Sequence, residues 1–246
     1  WALLDGTLPD GLSLNGTTGV VSGTPTTAQT RTPTFQVTSG GQTASRSLPI
    51  TIAAAGARTW VGGSGDEPNN WLLADNWTPA LVPTADDDVI VPPTDWNPII
   101  GSGTGSVRNL TIQSGAAVEV AGPAELRVHG NLDAGQTITG GGTVTLQGAS
   151  GTARGTMANP VEVTGAYTVD GTLVTGPMTV TGAGASLSLD GEIVSVAGDF
   201  TVQNGGVFRS TVADGALAVS GNASFRGGNT AGDVSTGVLS ISGDFV

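Results

Sequence analysis

The closing residues of the chain, LSISGDFV at 239–246, restate a phrase met earlier as LRVHG, VTLQG, VEVTG, MTVTG, VSVAG and LAVSG. The glycines that close the seven copies are Gly130, Gly148, Gly165, Gly182, Gly198, Gly221 and Gly243, separated by 18, 17, 17, 16, 23 and 22 residues. A repeat of roughly 20 residues marks a solenoid, in which each unit stacks on its neighbours. The alternation within each copy has period two, with no helical period beside it, so the units are short strands. The predicted fold is all-β, its larger part a parallel β-helix of about seven coils over 107–246 that continues beyond the C-terminus.

Alternation assigns the faces. Leu126 and Val128, Val144 and Leu146, Val161 and Val163, Met178 and Val180, Val194 and Val196, Leu217 and Val219, and Leu239 and Ile241 are expected to point inward as two apolar ladders. Burial of one such side chain is worth ~1.5–3 kcal/mol, which makes the ladders the main source of stability. The glycines are expected at corners that need positive φ. Asn131, Asp199, Asn222 and Asp244 follow them, as suits a turn. In the last three coils the order Asp, Asn, Asp avoids a column of like charges at the ~4.8 Å coil spacing.

Composition narrows the function. Only 11% of residues are charged, and the net charge of −12 disfavours nucleic acid or an anionic membrane as partner. The chain has no cysteine, which removes thiolate chemistry and disulfides. No apolar run approaches the ~20 residues that span a bilayer. Trp1 is not a natural start, and both ends read as cuts through a longer polypeptide.

Residues 1–52 differ from the coils. They alternate like an antiparallel sandwich, with turn signals at Asn15-Gly16 and Ser39-Gly40-Gly41. A Leu-Pro-x-Gly-Leu-x-Leu motif at Leu8–Leu14, Thr-Gly-Val-x-Ser-Gly-Thr-Pro at Thr18–Pro25 and a strand pair over Thr34–Ile52 follow one another. This stretch resembles the immunoglobulin-like modules, cadherin-like in fold, that recur in bacterial surface proteins. The resemblance implies a partial β-sandwich whose first strands precede Trp1, leaving an open sheet edge for a neighbour to cover. Residues 53–58 read as a linker.

Residues 59–106 are expected to form a cap and entry to the solenoid, with candidate cap residues Trp60, Trp71, Trp77 and Trp96. Thr59–Gly63, Asn70-Trp71, Asn76-Trp77 and Val82 to Asp87 resemble the Trp-rich segment that opens β-helical regions of autotransporter-like adhesins. A solenoid needs its first coil covered; the alternative use of the tryptophans is a platform for sugar rings.

Candidate chemistry is sparse. His129 is the only histidine and falls at an outward position. Asp170 and Asp190 lie at corners of neighbouring coils, five and eight residues past their coil glycines, so they are expected out of register, with no Arg cluster beside them. Asp86, Asp87 and Asp88, near Asp66 and Glu67, are candidate Ca²⁺ ligands, against the plainer expectation of solvated loop acids. The sequence therefore predicts no enzyme and no other cofactor. It predicts an extracellular or cell-surface segment of a rod- or filament-forming structural or adhesive assembly. Its expected partners are copies of itself, other surface proteins or glycans. The alternative is a carbohydrate-binding or polysaccharide-cleaving β-helix.

Overall fold

The computed structural model describes residues 1–23, 29–52, 56–227 and 237–246, with the side chain of Gln136 excepted. The chain divides into two compact units, Trp1–Ala55 and Gly56–Val246. Both are built from β-strands, and a three-residue 3-10 turn, Ala74–Asn76, is the one helical element among the described residues.

In the first unit Thr34–Ser39 lies between Ala2–Asp5 and Gln42–Ser47, all antiparallel. Leu12–Leu14 pairs with Val21–Gly23, and Gln29–Arg31 with Ile50–Ile52. Both turn signals appear as read. Ser39 pairs with Gln42 across Gly40 and Gly41, which take φ of 57° and 77° as a tight hairpin requires. The Asn15 carboxamide oxygen accepts the Thr17 and Thr18 N–H groups at 3.0 Å. Gln42–Ser47 is exposed along its length, and its outer edge has no partner strand among the described residues. Thr24 and Pro25 of the sequence motif lie outside the described residues.

The second unit is a three-sided parallel solenoid. Its first face is a seven-stranded sheet: Thr104–Val107, Glu125–Val128, Thr143–Leu146, Val161–Val163, Met178–Thr181, Phe200–Gln203 and Ala223–Arg226. The second face runs through Asp88–Val91 and Asn109–Ile112, and the third through Val118–Val120. In three successive coils one strand serves both of these faces: Leu132–Thr139, Gly151–Met157 and Ala166–Thr175. Beyond them the faces separate again, into Ser186–Ser188 and Val207–Arg209 on the second and Ile193–Val196, Ala216–Val219 and Val238–Ile241 on the third. Inward residues of all three faces form one continuous core.

The repeated phrase is therefore not a single ladder. Its first four copies stack on the first face, Leu126 on Val144, Val144 on Val161 and Val161 on Met178. The next residue under Met178 is Phe200, and under Val180 it is Val202. Val194 and Val196 instead continue Leu173 and Thr175 on the third face, followed by Leu217 and Val219, then Leu239 and Ile241. The 16-residue step between Gly182 and Gly198 is thus a move to the adjacent face. The physical reason is that a period-two strand closed by glycine suits any side of a triangular coil. Twelve of the fourteen inward residues are buried; Leu239 is exposed and Ile241 partly so, in the last described coil.

The corner glycines are also there for a reason other than the one expected. Of the seven, only Gly182 and Gly198 have positive φ. At Gly148 a Cβ would lie 2.0 Å from the His129 carbonyl oxygen, and at Gly165 it would lie 2.0 Å from that of Gly148. Gly130, Gly148, Gly165, Gly221 and Gly243 press in this way on the backbone of the coil before them, and the missing side chain makes room for that contact. The linker is shorter than read, because Ala57 and Arg58 already belong to the strand Ala57–Trp60, which pairs with Asp88–Val91; residues 53–55 lie outside the described residues.

Candidate functional site

A concavity of about 710 Å³ lies on the corner between the second and third faces of the solenoid. Its origin is a difference in corner length. Coils before and after turn that corner with an inserted loop: residues 113–117 in an early coil, 189–192 and 210–215 in later ones. The three coils between have none, because their strands bend across the corner instead, with pairing shifts between Ala134 and Thr137 and between Ala153 and Gly155. Gly155 makes the bend at φ 108°, where a Cβ would fall 1.9 Å from the Ala134 carbonyl oxygen. A saddle results, bordered by Gln113 and Ser114.

The floor of the saddle is polar. Asp133 and Arg154 are in-register neighbours, and the guanidinium donates from Nε to Oδ1 at 2.8 Å and from Nη2 to Oδ2 at 2.5 Å. This fork holds the Asp133 carboxyl below its ordinary range, against an opposing push from partial burial. The same bonds raise Arg154, with a further contribution from the charge of Asp170 in the next coil. Around the pair stand the hydroxyls of Thr111, Thr137, Thr156 and Thr172. Among the described residues no aromatic side chain lines the saddle.

Asp170 and Asp190 share a corner after all. Thr168 pairs with Ser188, so each aspartate lies two residues past the last paired position of the second face. Counting from the coil glycines failed because Gly182 and Gly184 sit in a turn that lengthens the second coil. One arginine near the corner is Arg154, which feels the charge of Asp170. Asp190 adopts φ 50°, the conformation of a turn residue.

The three consecutive acids do not converge on one point. Asp87 is buried, with Oδ1 accepting the Gly56 N–H at 2.9 Å and pairing with Arg58 at 3.1 Å. Its Oδ2 accepts the backbone N–H and hydroxyl of Thr84 at 2.9 and 2.8 Å. Asp88 is held by Arg108 through two bonds of 2.8 and 2.6 Å and by the Asn109 amide at 2.6 Å. Asp86 is exposed; among the described residues no three His, Cys, Asp or Glu side chains gather as a metal site. His129 accepts the Gln147 amide N–H on Nε2 at 3.0 Å, an interaction between adjacent coils.

The tryptophans separate into two groups. Trp60, Trp71 and Trp77 are buried, with Trp77 edge-on to both others at centroid distances of 5.0 and 4.7 Å. The Trp77 indole N–H donates to the Trp71 carbonyl at 2.7 Å, and that of Trp60 to the Trp96 carbonyl at 2.5 Å. Trp96 itself is exposed. Three of the four rings therefore fill the first coil and present no face to a sugar. Trp77–Thr78 pairs antiparallel with Ala57–Trp60, ending the long sheet with a two-residue edge.

Two family models match the chain. Residues 1–54 match one described as "Putative Ig domain", and residues 59–179 match one described as a domain of unknown function, DUF8693. The first covers the antiparallel unit. The second runs from the Trp-rich opening to the face-one strand Met178–Thr181, and every residue lining the saddle falls inside it. No curated protein and no solved structure matches. Among the described residues no helix is long and apolar enough to cross a membrane.

Proposed function

We propose that this chain is a non-catalytic segment of a bacterial extracellular surface protein, with the solenoid as a stiff rod and the immunoglobulin-like unit as a spacer or docking module. The observation that carries this reading is how the polar and apolar side chains of the solenoid are used. The inward side chains of its coils stack into one continuous core. Most acids with a resolved role support a strand: Asp133 takes Arg154, Asp88 takes Arg108, Glu125 takes Arg127 and Asp87 takes Arg58. A general acid or base needs an unengaged carboxyl within reach of a bond, and these carboxylates are committed to arginines. The Ig-like family match supports a surface setting.

A stack of seven coils at ~4.8 Å per coil extends roughly 34 Å along its axis, and such units in series would make a load-bearing stalk.

Antibodies raised against this segment test the reading on intact cells that produce the full-length protein. Labelling of unpermeabilised cells, together with rods or filaments in electron micrographs of the shed protein, is the expected result. Labelling only after permeabilisation overturns the surface assignment, and compact particles without rods overturn the mechanical one.

A further inference from the structure

We infer that the saddle between the second and third faces is a binding site for a neutral oligosaccharide. The rod proposed above needs no such concavity, so this inference goes beyond it.

The first argument is size and form. A cavity of about 710 Å³ lies in the range of small-ligand sites, ~300–1,000 Å³. It exists because three adjacent coils lack the corner loop present in coils on either side. A flat-sided rod gains nothing from that gap, whereas an extended ligand gains a bed with walls.

The second argument is the pattern of donors and acceptors. A guanidinium carries five N–H donors and a carboxylate about four acceptor sites. Between Arg154 and Asp133 only two of each are engaged with one another. Arg154 is half exposed and Asp133 about a third. Donors and acceptors left over therefore lie side by side at a fixed spacing. Vicinal hydroxyls of a sugar are donor and acceptor at once, and such a fork answers both. Thr111, Thr137, Thr156 and Thr172 supply further hydroxyls of either polarity around it.

Charge selects among polar ligands. Arg154 is balanced by Asp133, and Asp170 in the next coil adds a further negative charge that Arg154 feels. An anionic ligand, whether a sulfated glycan, a uronate or a phosphate, meets a site with excess negative charge on a chain of net charge −12. A cation finds Asp133 already held by Arg154. A neutral polyol pays neither penalty.

The test is an array carrying neutral gluco-, galacto- and manno-oligosaccharides beside uronate-containing and sulfated ones, probed with the intact chain. Binding to at least one neutral oligosaccharide is expected. Calorimetry with that oligosaccharide should then show tenfold or greater weakening in Thr156→Val and in Arg154→Met. Thr201→Val on the first face should leave affinity unchanged. Unchanged urea midpoints in Thr156→Val keep the result free of folding effects. An array with no neutral ligand, or with acidic ligands alone, overturns the inference. So does a neutral ligand whose affinity ignores both saddle substitutions. None of these outcomes bears on surface display or rod formation.

Discussion

The carboxamide oxygen of Asn222 accepts the backbone N–H of Asp244 at 2.8 Å, one coil after Asp199 accepts the N–H of Asn222 at the same distance. A side chain at this corner thus caps the next coil's backbone, and either Asp or Asn can do it. What the Asn adds is neutrality between two acids. Asn222→Asp keeps the acceptor but stacks three carboxylates at ~4.8 Å intervals. With the column open to solvent, the expected loss is about 1 kcal/mol or less per adjacent pair. Urea titrations at low and high salt check it: the loss should shrink in high salt.

The change of face after Met178–Thr181 can be read by crosslinking, since the chain has no cysteine of its own. Thr179 and Thr201 are adjacent in register on the first face, while Ser195 belongs to the third. A Thr179→Cys, Thr201→Cys pair should join rapidly with a short thiol crosslinker. A Thr179→Cys, Ser195→Cys pair, which a single ladder of repeats would make neighbours, should not. The gel mobility of the unfolded products distinguishes them.

Gly148→Ala should be among the most damaging single-methyl additions. The new Cβ would meet backbone at 2.0 Å, with the Tyr167 hydroxyl 3.2 Å away. Backbone on both sides is held by strand pairing, so relief requires moving a coil, at a cost of about 3 kcal/mol or more. Gly182→Ala has no neighbour within 4 Å and pays only for its positive φ of 106°, about 1–2 kcal/mol. Denaturant midpoints of the two variants give the comparison.

Acid should weaken the saddle through Asp133. Its folded-state pKa lies below the ordinary value because Arg154 binds the charged form. The pair therefore contributes fully above the unfolded-state pKa, near ~3.9, and the contribution is lost as pH falls through the folded value. Asp133→Asn should flatten the dependence of stability on pH below about 5 while changing little in its shape above that. Asp88 and Glu125, also lowered by arginine partners, contribute to the slope in the same direction.

Asp87 and Asp86 are adjacent in sequence and opposite in consequence. Asp87→Ala removes the buried carboxylate that pairs with Arg58 and the acceptors of Gly56 and Thr84, so a loss of about 3–5 kcal/mol is expected. Asp86→Ala, on an exposed side chain, should fall within about 0.5 kcal/mol. Thermal melts of both variants, with and without Ca²⁺, also report whether the ion stabilises the chain.

Much of the fold was legible because period-two alternation and glycine spacing report strands and coils directly. The ladder pairs from Leu126 to Val180 stack in that order for this reason. What alternation lacks is any mark of which face a strand occupies, so Val194 and Val196 were assigned to the wrong side. The ion pair of Asp133 and Arg154 was hidden for a related reason. It joins strands of the second face, where no repeated phrase fixes the register. The saddle left still less trace, since it is made by loops that three coils do not have. One signal was available: the steps of 18, 17 and 17 residues against 23 and 22 near the end mark where the corners are shortest.

The interchangeability of the strand-and-glycine unit among faces has a consequence for how such a chain presents itself. Inserting or removing one face's worth of residues leaves the core intact, yet swings every outward side chain downstream through about a third of a revolution. Gain or loss of a whole strand-and-glycine unit would therefore act as an angular setting, aiming the same surface toward a different neighbour without rebuilding it.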